Sequence, residues 1–148
     1  RKDGPPGNHR TLPGNSLEWT DQKGGPSVSK MTVQKGYFTS RAEVMEDIRD
    51  SGYWPTTYIS ETSPELPIHY HDHDIIGYVM EGRTYLLDED GQRVPLEPGD
   101  RLVIPKGAWH AEGEVSEEVI YIVSFREPVP FFEGIMPREP QGPFPSLD

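Results

Sequence analysis

The sequence predicts an all-β domain, an antiparallel sandwich or barrel, with one helix on its N-terminal side and irregular arms at both ends. Three observations carry this prediction. Short β-branched and aromatic runs recur roughly every ten residues from Trp54 to Phe125, separated by Gly/Pro turns. Gly (15) and Pro (16) are abundant in 148 residues, which favours turns over long helices. Only residues 40–51 place apolar side chains at helical spacing.

Residues 1–30 read as a tail. Nine of the thirty are Gly or Pro, and Leu12, Leu17, Trp19 and Val28 are its only large apolar residues. Such a stretch buries too little surface to offset the entropy of ordering. Its single histidine, His9, is given no role. The texture changes at Met31, so Met31 is expected to be the native start, with the preceding stretch expression-derived or a weakly ordered arm. A native product extending upstream of Met31 in a mass spectrum would overturn that expectation. Residues 31–148 are then one domain.

Ser40-Arg41-Ala42-Glu43 is a capping-box pattern that starts the helix, and Gly52 suits its end. Val44, Met45 and Ile48 make the face expected to pack outside a sheet. Strands are expected at 56–60, 75–80, 83–87, 93–96, 102–104 and 118–125. Their turns are Glu81-Gly82, Asp88-Glu89-Asp90-Gly91, Pro98-Gly99-Asp100 and Pro105-Lys106-Gly107. The stretch from Pro128 holds six prolines, which argues against both helix and central strand there. Its apolar Phe131-Phe132 and Ile135-Met136 are expected to pack on the domain or on a partner subunit.

Composition excludes several functions. Without cysteine there are no disulfides, thiolate metal sites or Cys nucleophiles. No run approaches the ~18 apolar residues of a membrane span, and the first residues carry no secretory pattern. A cytoplasmic location is the default expectation. Net charge is −11, split as +2 over residues 1–30 and −13 over 31–148. So acidic a body repels phosphate backbones, and no nucleic-acid partner is expected.

The chemistry concentrates in histidine. Four of five histidines lie in two segments, Pro67-Ile68-His69-Tyr70-His71-Asp72-His73 and Pro105-Lys106-Gly107-Ala108-Trp109-His110. Imidazole is the commonest metal ligand side chain. Alternate strand residues share a face, so an extended 69–73 would aim His69, His71 and His73 one way, with His110 arriving from a second strand. Glu112 shares the parity of His110 and either orients a ligand imidazole or sits at the rim. Asp72 and Asp74 have the opposite parity and read as solvated charges. Trp109 reads as core or cavity wall. Tyr58, Tyr78, Tyr85 and Tyr121 read as sheet packing, one of them facing a pocket, and Arg83 and Arg101 are candidate anion partners.

These segments resemble the motifs of the cupin superfamily. Its first motif is two histidines one residue apart, a glutamate after three or four residues, and a glycine after six more. Here His69 and His71 are followed by Ile75 at the glutamate position and by Gly82. The second motif is matched by Gly99, Pro105, Gly107 and His110, with Glu114 where asparagine is usual. The resemblance covers 69–114 by motif and about 54–126 by strand pattern, and the short spacing between the motifs is that of compact single-domain cupins. It implies a double-stranded β-helix, or jelly-roll, barrel and a homodimer in which the Phe131-Phe132 arm takes part. It also implies a divalent metal (iron, zinc, nickel, manganese or copper) held by His69, His71 and His110. His73 is a candidate fourth ligand and the candidate catalytic base.

Ile75 breaks the usual three-His, one-Glu set. Cupins without that glutamate include three-histidine iron dioxygenases, and others have lost the metal. Three imidazoles would leave a divalent ion its full charge, favouring a small anionic chelator such as an enolate, carboxylate or catecholate. The leading expectation is a dioxygenase-like metal enzyme acting on a small anionic molecule. The alternatives are a non-catalytic small-ligand or sensor cupin and a metal-assisted isomerase or lyase.

Overall fold

The computed structural model describes residues 30–140. The expected tail, His9 within it, and the last residues of the C-terminal arm lie outside the described residues, apart from Lys30.

The elements run β1 (Thr32–Gln34), α1 (Arg41–Ser51), β2 (Trp54–Ser60), β3 (Ile75–Glu81), β4 (Thr84–Leu87), β5 (Arg93–Leu96), β6 (Arg101–Ile104), β7 (Ala111–Glu112), β8 (Val119–Phe125) and α2 (Phe131–Gly134). They form a five-stranded sheet, β1-β6-β3-β8-β2, and a three-stranded sheet, β5-β4-β7, with every pairing antiparallel. The architecture is a β-barrel of the jelly-roll type.

β3 lies at the centre of the larger sheet and is buried on both faces, so it reads as a continuous apolar run. Ile75 and Val79 point inward with Leu102, Ile104, Val123 and Phe125, meeting Leu86 and Leu96 of the smaller sheet. Ile76 and Tyr78 point outward, where α1 covers them with Val44 and Ile48. Burying each such aliphatic side chain contributes roughly 1.5–3 kcal/mol. Met45, expected on the same face, is 41% exposed, while Val44 and Ile48 are buried.

α1 begins and ends on its local signals. Ser40 Oγ accepts from the Glu43 amide at 3.3 Å, and a Glu43 carboxylate oxygen accepts in return from the Ser40 amide at 3.3 Å. Gly52 stops the helix in a left-handed conformation, φ +72°. The closing motif glycine, Gly82, has φ +86°, and a Cβ there would strike the Glu118 carbonyl and come within 2.9 Å of Val119 Cα.

Three features depart from the sequence reading. β1 and β7 are three- and two-residue strands whose existence depends on their partners, β6 and β4. In the proline-rich arm, helix was not expected, yet α2 forms one turn. Pro130 caps its start, where a missing amide costs nothing, and its carbonyl accepts from Gly134 at 3.0 Å.

Candidate metal centre and its cavity

Two backbone segments bring the histidines together. His69 and His110 form an antiparallel bridge, amide to carbonyl at 2.8 and 3.0 Å, and the Gly107 amide donates to the His71 carbonyl at 3.0 Å. The three rings then make a near-equilateral triangle, with centroids 4.7–5.0 Å apart. All three histidines are buried.

Each ring is held by a backbone carbonyl at Nδ1. His69 faces Pro67 O at 2.8 Å, His110 faces Ala108 O at 2.9 Å, and His71 faces Met136 O at 3.2 Å. A carbonyl only accepts, so each Nδ1 carries its hydrogen. In the neutral ring Nε2 then keeps a lone pair, and the three Nε2 atoms converge.

Glu112 completes the group. Its Oε2 lies 2.9 Å from His69 Nε2, and its Oε1 lies 3.8 Å from His71 Nε2 and 3.7 Å from His110 Nε2. One ligand atom from each of His69, His71, His110 and Glu112 falls within 4.8 Å of all the others. The carboxylate absent at Ile75 is thus supplied from β7, on the strand that follows His110. The expected histidines thus stand with a carboxylate beside them, and Glu112, expected to orient an imidazole or sit at the rim, faces their Nε2 atoms directly. Its spacing of two residues from His110 was the available signal.

With Nδ1 protonated, all four converging atoms are acceptors. His71 and His110 have Nε2 atoms 3.1 Å apart, a separation that neutral rings with this tautomer cannot turn into a hydrogen bond. His69 Nε2 and Glu112 Oε2 are buried without a hydrogen-bond partner. Only a cation, or added protons, satisfies such a set. Without a cation, the balance favours a proton at His69 facing an ionised Glu112. Burial opposes ionisation of Glu112, but the three imidazoles outweigh it and hold its carboxyl well below the usual range. Burial works against a charged His69, and Glu112 outweighs it in turn, raising that pKa.

The group opens on a cavity of about 520 Å³, lined by His69, His71 and Glu112 but otherwise largely apolar. Three of the four tyrosines line it: Tyr58, Tyr85 and Tyr121. Tyr78 instead packs under α1, donating to Asp47 at 2.5 Å. Burial and the nearby Glu112 charge push the Tyr121 phenol upward, so it stays a neutral donor. The C-terminal arm roofs part of the cavity with Phe132, Ile135 and Met136. It is tied to the His71 segment three ways: the Met136 carbonyl on His71, a Tyr70–Arg138 backbone bridge, and an Arg138–Asp72 ion pair at 2.8 Å.

His73 does not join. The chain bends at Asp72–His73, which ends the strand parity, and His73 lies outside both the four-residue group and the cavity lining. Asp74 is half-buried rather than freely solvated, accepting from the Lys106 amide and pairing with Arg126, both at 2.9 Å. Arg83 pairs with Glu97 at 2.6 Å and Arg101 with Asp47 at 2.9 Å, so neither reaches the cavity.

Comparison with known proteins gives a match to the cupin domain family over residues 59–125. Among curated proteins, a gentisate 1,2-dioxygenase from Ralstonia sp. is 30% identical over 54 residues, 36% of this chain. The matched stretch spans only 15% of that dioxygenase. Among solved structures, a DUF861 family protein from Thermotoga maritima aligns at 23% identity, covering 65% of this chain and 99% of its own, with TM-score 0.48. An acireductone dioxygenase from Bacillus anthracis, with a cadmium ion in its active centre, aligns at 22% identity over 66% of this chain and 63% of its own, with TM-score 0.49.

Proposed function

The chain belongs to the cupin superfamily through residues 59–125, and from that premise we propose that it is a metal-dependent enzyme acting on a small anionic molecule, with dioxygenase-like chemistry. His69, His71, His110 and Glu112 would hold a divalent ion. One observation carries this reading: three imidazoles locked at Nδ1 aim only acceptors at one another and at a carboxylate. The mixed nitrogen and oxygen set suits iron, zinc, nickel, manganese or copper.

When bound, the ion supplies Lewis acidity toward a chelating oxygen and, if redox-active, one-electron chemistry. The protein does the rest. The Pro67, Ala108 and Met136 carbonyls fix ring tautomer and orientation. The apolar walls exclude water and strengthen electrostatic contacts within the cavity. Tyr121 offers a neutral hydroxyl to a substrate oxygen.

The segment shared with a gentisate dioxygenase supports dioxygenase chemistry over the alternatives. An isomerase or lyase would need a base beside the substrate, His73 or a tyrosine; His73 does not line the cavity, burial keeps the Tyr121 phenol protonated, and the Tyr85 phenol donates to Glu65. Elemental analysis of the purified protein beside His110→Ala tests the centre, with metal expected in the first and depleted in the second. Anaerobic reconstitution with ferrous iron should then give oxygen uptake with a diketone, thiol-acid or catechol-like substrate. Bound iron without uptake across that panel would favour the binding or sensor reading.

A further inference from the structure

We propose that the cavity selects a ligand with one anionic chelating head and an uncharged, largely apolar body, and that it rejects ligands carrying a second negative charge. This rests on the metal reading above and narrows its substrate class.

The first argument is charge. A divalent ion with Glu112 as its only anionic ligand carries a net +1, so a monoanion leaves the centre neutral and a dianion leaves a surplus negative charge. Against the inner wall that surplus would be held away from water, and at the exposed mouth it would meet Glu61. Ile75, Leu86, Leu102, Ile104, Val115 and Val123 make the cavity wall, and an unpaired charge in such surroundings is costly.

The second argument is the absence of a counter-ion. Among the described residues, no lysine or arginine lines the cavity, and its charged lining residues are Glu61 and Glu112. Arg83 is engaged by Glu97, Arg101 by Asp47, Arg126 by Asp74 and Arg138 by Asp72, and Arg93 lies over the Tyr85 ring at 4.4 Å without lining the cavity. The phenol of Tyr85 is committed too, donating to Glu65 at 2.6 Å. Tyr121 offers a hydrogen bond, which suits a neutral oxygen on the ligand body. The volume, about 520 Å³, is that of an ordinary small-molecule site.

The test uses three probes with one chelating head. Zinc-loaded protein is titrated calorimetrically with benzohydroxamate, 4-carboxybenzohydroxamate and 4-carbamoylbenzohydroxamate. Benzohydroxamate and the carboxamide should bind, and the carboxylate should bind at least about tenfold more weakly than the carboxamide, which matches it in size. Equal or tighter binding of the carboxylate overturns the proposal. So does equal exclusion of the carboxamide, which would make size the filter, or failure of all three to bind while zinc is retained. Failure to retain zinc at all is a different result, because it removes the metal reading and this proposal with it. Ser60→Lys, which sets a cation in the lining, should restore binding of the carboxylate probe alone.

Discussion

Asp100 and Glu112 both keep a carboxylate oxygen from water, although the Glu112 side chain is 40% exposed, and the protein surrounds them in opposite ways. Asp100 is fully buried. Its oxygens accept from Lys35 Nζ, from the Gly36 amide at 2.9 Å and from the Glu97 amide at 2.8 Å. Asp47, on α1, is treated likewise, with Tyr37, Tyr78 and Arg101 as donors at 2.7, 2.5 and 2.9 Å. Glu112 faces three imidazole nitrogens that carry lone pairs. Burial alone therefore does not separate a structural carboxylate from a functional one. The polarity of the facing atoms does, since donors complete a structural site and acceptors leave a place for a cation.

The largest expected effect breaks the acceptor set. His110→Ala should lower metal affinity by more than about 100-fold, beyond what loss of an outer-shell partner costs, read by competition with a chromogenic chelator. Unchanged affinity would remove the centre. The two carboxylates should next diverge in metal binding. Asp100→Asn leaves Lys35 and two amides without their charged acceptor and should cost about 2 kcal/mol in urea unfolding while leaving metal affinity unchanged. Glu112→Gln removes the anionic member of the group and should lower metal affinity about tenfold or more. If both substitutions lower metal affinity alike, the contrast between the sites is lost.

Acid provides a graded form of the same comparison. Burial works to raise the pKa of Asp100 and of Asp47, but their donors outweigh it and hold both below the ordinary value of 3.8. A carboxylate depressed in the folded state contributes stability that is complete above its unfolded pKa and lost as pH falls through its folded pKa. Stability attributable to these two should therefore be flat near neutrality and decline below about pH 4. Asp100→Asn should flatten that decline in acid-unfolding curves, and an unchanged slope would mean Asp100 is not depressed.

What was legible in the sequence follows the range of the forces involved. α1 could be read to its caps because Ser40, Glu43 and Gly52 act within a few residues of one another. The longer strands could be read from alternation and turns. β1 and β7 could not, being defined by pairing with residues far along the chain, and proline count concealed the single turn of α2. In the site, His69, His71 and His110 were readable from spacing. His73 shares their parity only while the chain stays extended, and the chain bends at Asp72 and His73. Glu112 was visible as a face-sharing neighbour of His110. That it meets His69 depends on the long-range His69–His110 bridge, which no local pattern reports.

The smallest expected effect concerns the C-terminal arm, which gives one acceptor, the Met136 carbonyl, to a histidine of the centre. His71 thus depends on a segment 65 residues away. Part of what pins that segment is the Arg138–Asp72 pair, roughly half exposed on both sides, so its own contribution is about 0–1 kcal/mol. Arg138→Gln should leave global stability almost unchanged and weaken metal binding by no more than about fivefold, with the difference shrinking at high salt. His69 and His110, whose acceptors are two residues away, should be unaffected. Histidine NMR would show this as faster Nδ1–H exchange at His71 alone. Equal loosening at all three rings would mean that the centre moves as one unit and that the arm has no particular hold on His71.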